Sequence, residues 1–156
     1  MADLGDSAEV DGADFVGEYR HTLDAKGRVI LPADFRARLG GGGYVTKLQD
    51  GCLAVFAPEE FLRQAAEIRA MAKGGQNHRN VARALAAASS PVQPDSQGRI
   101  AISQTLRDYA GLTKDVVVVG VFNHIELWDP SRWAAVDAAG SDSLLSGQDA
   151  LATMGF

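Results

Sequence analysis

Two stretches of this sequence carry its most distinctive chemistry: Asp24-Ala25-Lys26-Gly27-Arg28 and, 71 positions on, Asp95-Ser96-Gln97-Gly98-Arg99. Both read Asp-x-x-Gly-Arg. Asp suits a turn because its side chain bonds nearby backbone amides, and Gly because it tolerates positive φ. A carboxylate and a guanidinium four residues apart across such a turn can pair. At an exposed site that pair contributes only about 0–1 kcal/mol. The arginine keeps further donors, however. Arg can give two hydrogen bonds to one guanine edge, and a neighbouring Lys can reach a guanine or a phosphate. Asp24 would then hold Arg28 in a fixed rotamer. Around the first copy Arg20, Lys26, Arg28, Arg36 and Arg38 fall within 19 residues, whereas the second offers Arg99 and Arg107 and puts Gln97 in place of Lys26. A strand–turn–strand with a basic tip can enter a DNA major groove as a ribbon. One such surface is small, so tight binding would need several copies on an oligomer.

Other chemistries find little support. Cys52 is the single cysteine, so no intrachain disulfide forms, and in a strand beside Leu53 it reads as a buried apolar thiol. That suits a reducing compartment. His21, His78 and His124 are scattered and show no metal-ligand spacing. The carboxylates collect in turns and in the N-terminal arm, away from apolar surroundings that would raise a pKa. Gly40 to Gly43 lacks the Gly-Lys-Ser/Thr of a phosphate loop and reads as a helix-to-strand connector. No catalytic residue, no metal site and no cofactor is expected. The N-terminus has no basic region or apolar run of a secretory signal, and no stretch approaches about 18 consecutive apolar residues.

The elements that would position the two turns repeat with them. Phe15–Leu23 reads as a strand, Arg28–Leu31 as a second, and Ala33–Leu39 as a short helix with Pro32 near its start and Gly40 at its end. Tyr44–Leu48 and Cys52–Phe56 form a hairpin about Asp50-Gly51, and a longer helix opens at Pro58. Another helix spans Asn80–Ala88. The second copy follows the same order: Ser103 stands as an N-cap where the first has Pro32, Val116–Val119 reads as a strand buried on both faces, and Asp129-Pro130 opens the last helix. After Asp137 the Gly/Ser/Ala/Asp-rich chain reads as a frayed tail. Phe56-Ala57-Pro58 and Phe61 match Trp128-Asp129-Pro130 and Trp133 at an offset of 72. One α+β unit built twice is the expectation, with a small barrel-like or sandwich core. The boundaries are a disordered acidic arm at 1–14, a first unit with its helices at 15–88, a second at 89–137 and a flexible tail at 138–156.

Charge divides along the same boundaries. The net charge of −5 equals that of the arm alone, which carries Asp3, Asp6, Glu9, Asp11 and Asp14 and no Lys or Arg. Residues 15–83 carry 11 basic and 7 acidic side chains; residues 84–156 carry 4 and 8. A basic first half points to an anionic partner there.

Asp24-x-Lys26-Gly27-Arg28 with Leu31-Pro32, the second Asp95-x-x-Gly98-Arg99, and Gly120-x-Phe122-Asn123-x-x-Glu126-Leu127-Trp128 after Leu112-Thr113-Lys114 together resemble the MraZ family of bacterial transcriptional regulators, from about Phe15 to Val136. The resemblance implies two tandem AbrB-like units of swapped-hairpin, double-psi type with peripheral helices and a pseudo-twofold. It implies a ring-like homo-oligomer in the cytoplasm, associated with the nucleoid. This would be a sequence-specific repressor that binds double-stranded DNA at repeated promoter boxes of the division and cell-wall gene cluster. Lys26 and Arg28 would make the main DNA contacts, with Arg20 in support and Asp24 shaping the loop. With Gln97 and an acidic half around them, Asp95 and Arg99 fit a structural or subunit-contact role better than DNA reading. An AbrB-type antitoxin-like DNA binder, or an oligomeric scaffold for an acidic partner, is the alternative.

Overall fold

The computed structural model of the protein describes residues 14–147 and 150–155. The acidic arm, Asp14 aside, lies outside the described residues. The chain is α+β. Its strands are β1 (Phe15–Thr22), β2 (Arg28–Ile30), β3 (Gly43–Lys47), β4 (Leu53–Phe56), β5 (Ser90–Val92), β6 (Arg99–Ala101), β7 (Asp115–Phe122) and β8 (Ile125–Trp128). Its α-helices are α1 (Ala33–Leu39), α2 (Pro58–Met71), α3 (Gln76–Ala88), α4 (Gln104–Ala110) and α5 (Pro130–Ser146).

The helix ends follow from local chemistry. Gly40 and Gly111 close α1 and α4 in the left-handed conformation, at φ 72° and 67°. The Ser103 hydroxyl accepts the Leu106 amide at 3.3 Å, whereas Pro32 gives α1 no side-chain cap. Asp129 caps α5 by accepting the Ser131 and Arg132 amides. Two helices exceed the sequence expectation. α3 starts at Gln76, four residues early, because Gly75 ends the preceding turn and frees the chain to coil at once. α5 runs on to Ser146, where composition suggested a frayed tail. Ala135, Ala138, Ala139, Leu144 and Leu145 supply the helical propensity that the intervening Gly and Ser residues mask, and Gly147 at φ 67° ends it.

Pairing exchanges strands between the copies. β1 of the first copy pairs with β7 of the second from Phe15↔Phe122 to Thr22↔Asp115. β5 of the second copy pairs with β3 of the first. The hairpins β3–β4 and β7–β8 join through β4–β8, which gives a six-stranded antiparallel sheet in the order β1-β7-β8-β4-β3-β5. β2 and β6 pair only with each other. Swapping the two copies maps this pattern onto itself, so the molecule has a pseudo-twofold that passes through the β4–β8 and β2–β6 pairs.

The core binds the halves together. Val29, Leu31, Phe35 and Leu39 from the first copy meet Ile100, Ile102, Leu106 and Ala110 at the matching places of the second. Burying a Leu, Ile or Phe side chain of this kind contributes about 1.5–3 kcal/mol. Val116 to Val119 are buried without a break, as expected for a strand covered on both faces. A smaller cluster of Cys52, Val117, Val119 and Trp128, with Trp133 packed against it, covers the opposite face.

Candidate nucleic-acid interface

The peptide units of each Asp-x-x-Gly-Arg turn converge on its aspartate. One oxygen of Asp24 accepts the amides of Lys26 (3.0 Å) and Arg28 (2.9 Å). Its other oxygen accepts Arg28 Nε at 2.7 Å. The second turn repeats this at Asp95, with the Gln97 and Arg99 amides at 2.9 Å and Arg99 Nε at 2.8 Å. The amides of Arg28 and Arg99 do most to hold the Asp24 and Asp95 carboxyls below the usual carboxylate range; desolvation opposes them, and the arginine side chains add to the lowering. Gly27 and Gly98 take φ 77° and 81°, which an L-residue adopts only with strain.

The two turns do not sit on hairpins of their own. A ribbon of β1, turn and β2 was the expectation, but β1 is committed to β7 and β2 to β6. The ribbon is instead β2–β6, one strand from each copy. Strand alternation sorts its residues into two faces. Val29 and Ile100 pair on the buried face. Arg28, Ile30, Arg99 and Ala101 occupy the outer face, with the two arginines on one diagonal. Arg99 Nη1 reaches the Asp24 carboxylate at 3.7 Å, so the second motif joins the first in a single cluster. Arg28 and Arg99 remain 28% and 24% exposed in their side chains. Their Nε atoms are engaged. The two terminal nitrogens of Arg28 have no partner among the described residues, and Lys26 is exposed at the tip of its turn. Arg20 belongs to β1, where it bonds Glu18 at 2.9 Å. It projects from the face opposite Tyr19, whose ring stacks edge-on against Phe35 at 5.3 Å.

Arg36 and Arg107, which the sequence offers only as charges near the two motifs, take specific places. A Cβ built on Gly27 would fall 1.5 Å from Arg107 Nη1, and one on Gly98 would fall 1.9 Å from Arg36 Nη1. Each copy's helix thus lays a guanidinium over the other copy's turn glycine. Arg36 also donates to the Leu31 carbonyl at 2.8 Å. The backbone makes the same exchange, Leu31 N to Gly98 O and Ile102 N to Gly27 O, both at 2.9 Å. The signal was present in the sequence, since Arg36 and Arg107 each follow their motif arginine by eight positions.

The Gly120 to Trp128 block proves structural. Glu126 accepts Trp128 Nε1 at 2.9 Å and pairs with His124 Nε2 at 2.8 Å, while Asn123 Nδ2 donates to Glu60 at 3.2 Å. Burial pushes the Cys52 thiol pKa well up, leaving a packed apolar group. Among the described residues no three His, Cys, Asp or Glu side chains gather as a metal site, and no helix is long and apolar enough to cross a membrane.

The sequence that builds these two turns matches a known family. The family model described as "MraZ protein, putative antitoxin-like" matches residues 15–83 and again 85–152. The chain belongs to the MraZ family. The transcriptional regulator MraZ of Acetivibrio thermocellus is 40% identical over 142 residues, 91% of this chain and 99% of its own length. That of Corynebacterium glutamicum is 44% identical over 140 residues, 85% and 98% of the two chains. That of Mycobacterium ulcerans is 46% identical over 119 residues, 76% and 83%. MraZ is not a family of enzymes. The two matched segments are consistent with two tandem units.

Proposed function

We propose that this protein is a transcriptional regulator that binds duplex DNA with the outer face of the β2–β6 ribbon and its flanking turns. One observation carries the reading: Asp24 satisfies the turn's amides and Arg28 Nε together, so Arg28 is held, beside an exposed Lys26, with its terminal nitrogens unused among the described residues. A guanidinium fixed in this way loses little freedom on meeting a guanine edge. Lys26 adds a mobile cation for a phosphate. Arg99 acts through Asp24, and Arg20 supplies charge at the margin.

The net charge of −5 sets a limit on one copy. A lone subunit would bind weakly, so the active species is a homo-oligomer, a ring of subunits presenting several ribbons to repeated promoter boxes. The relatives' name, transcriptional regulator, supports this role. The targets are its own operon and the division and cell-wall genes with it, and the effect is repression, in the cytoplasm at the nucleoid. Fluorescence anisotropy with the DNA upstream of its own gene, at two salt concentrations, tests the proposal. Binding should exceed that to a scrambled duplex and weaken as salt rises. Equal affinity for both duplexes would remove the regulator reading and favour an acidic protein partner for the same face.

A further inference from the structure

We propose that Ile30 is a base-reading residue: on the outer face of the β2–β6 ribbon it packs against the C5 methyl group of a thymine in the major groove, close to the guanine edge met by Arg28. The inference rests on the DNA reading above and adds a second base type to it.

β2 and β6 pair only with each other and stand apart from the six-stranded sheet. One face of the ribbon is sealed into the core by Val29 and Ile100, each 1% exposed. The outer face holds two cross-strand rows, Arg28 opposite Ala101 and Ile30 opposite Arg99. Ile30 is the large apolar side chain among these four, and it is 41% exposed. A single exposed isoleucine is ordinary on a protein surface. Here its neighbours are the arginines of the proposed DNA-binding face. Across the row, Arg99 Nε bonds Asp95 at 2.8 Å and Arg99 Nη1 lies 3.7 Å from Asp24, so its guanidinium is tied to the turns. The second copy has Ala101 at the place of Ile30, as it has Gln97 at the place of Lys26. The first copy thus carries both the extra cation and the larger apolar group.

Arg28 and Ile30 lie two residues apart on one strand, about 6.7 Å along it. That is about two base-pair steps at roughly 3.4 Å each. A ribbon that brings Arg28 to a guanine therefore carries Ile30 to a base edge about two steps away. Nearly every group that a base pair presents in the major groove is a hydrogen-bond donor or acceptor. An isoleucine covering such a group would strip its water and return no hydrogen bond. The thymine methyl is the exception, an apolar group that gains by being covered. The isoleucine is also suited to the contact. Its branched Cβ restricts χ1, and the ladder with β6 fixes its backbone, so little freedom is lost on meeting the base.

The test measures binding to the DNA upstream of the protein's own gene, made once with thymidine and once with deoxyuridine throughout. Uracil pairs as thymine does and lacks only the C5 methyl group. Scrambled duplexes made both ways set the background. Wild type should bind the thymine duplex about three- to fivefold more tightly for each methyl buried, and by a larger factor where several ribbons engage together. Ile30→Ala should bind the thymine and uracil duplexes alike, with circular dichroism and light-scattering mass unchanged from wild type. Ile30→Val keeps a strand-forming side chain and should fall between the two, which decides the matter should Ile30→Ala not fold. A wild type that prefers the upstream duplex to the scrambled one, yet binds its thymine and uracil forms alike, would overturn this inference and leave the DNA reading intact. So would a thymine preference kept in full by Ile30→Ala or by Ile30→Val. Equal binding of upstream and scrambled duplexes would overturn the DNA reading and the inference together.

Discussion

One oxygen of Asp24 accepts two backbone amides and the other accepts Arg28 Nε, with Arg99 Nη1 close behind. The carboxylate therefore has to be ionised to do all of this at once. Its pKa is lowered in the folded chain, as is that of Asp95. A depressed carboxylate stabilises the fold above its unfolded pKa, and the contribution disappears as pH falls through the folded value. Urea denaturation from pH 7 down to 3 should show stability falling below about pH 4, with a shallower acid limb in the Asp24→Asn/Asp95→Asn double variant. An acid limb identical in both proteins would contradict the pairing. The pairing itself was legible in the sequence, because both groups lie within five residues. Of the covering of Gly27 and Gly98 by Arg107 and Arg36 the sequence shows only the shared eight-residue spacing of the arginines; the exchange between copies joins residues about 60 to 80 positions apart and is not legible there.

At the level of elements, the repeat disclosed the strands, both hairpins and the order of helices. It could not disclose which strand pairs with which. A period-2 pattern fixes the face of a residue and leaves its neighbour open. The expected ribbon of β1 and β2 failed for that reason: an eight-residue strand finds far more ladder on β7 than on the three residues of β2. Gly120 records the closeness of that exchange. A Cβ there would lie 2.4 Å from the Phe15 carbonyl carbon and from the Val16 nitrogen, both backbone atoms that cannot turn aside. Gly120→Ala should push β1 away from β7 and lower stability by about 1–3 kcal/mol, the usual cost of overpacking, measured as a drop in the urea midpoint. The extent of α5 was hidden for another reason: its polar, Gly-containing C-terminal half has no core in its own chain to give it an apolar period.

Across the whole molecule, duplication has produced two chemically unequal copies of one turn and set them side by side. The pseudo-twofold makes their geometry the same, down to matching 2.9 Å amide bonds at Arg28 and Arg99. Their difference lies in Lys26 against Gln97 and in the charge of the halves around them. If DNA meets the ribbon, the first turn should dominate and the second should support it. This can be measured directly as the dissociation constants of wild type, Arg28→Ala and Arg99→Ala for the DNA upstream of the protein's own gene, with light scattering to show that assembly is unchanged. Arg28→Ala should weaken binding by about 1–3 kcal/mol per base contact, and Arg99→Ala by clearly less. Wild-type affinity retained by Arg28→Ala, or a larger loss in Arg99→Ala at constant assembly, would contradict the assignment of the first turn as the DNA-reading element.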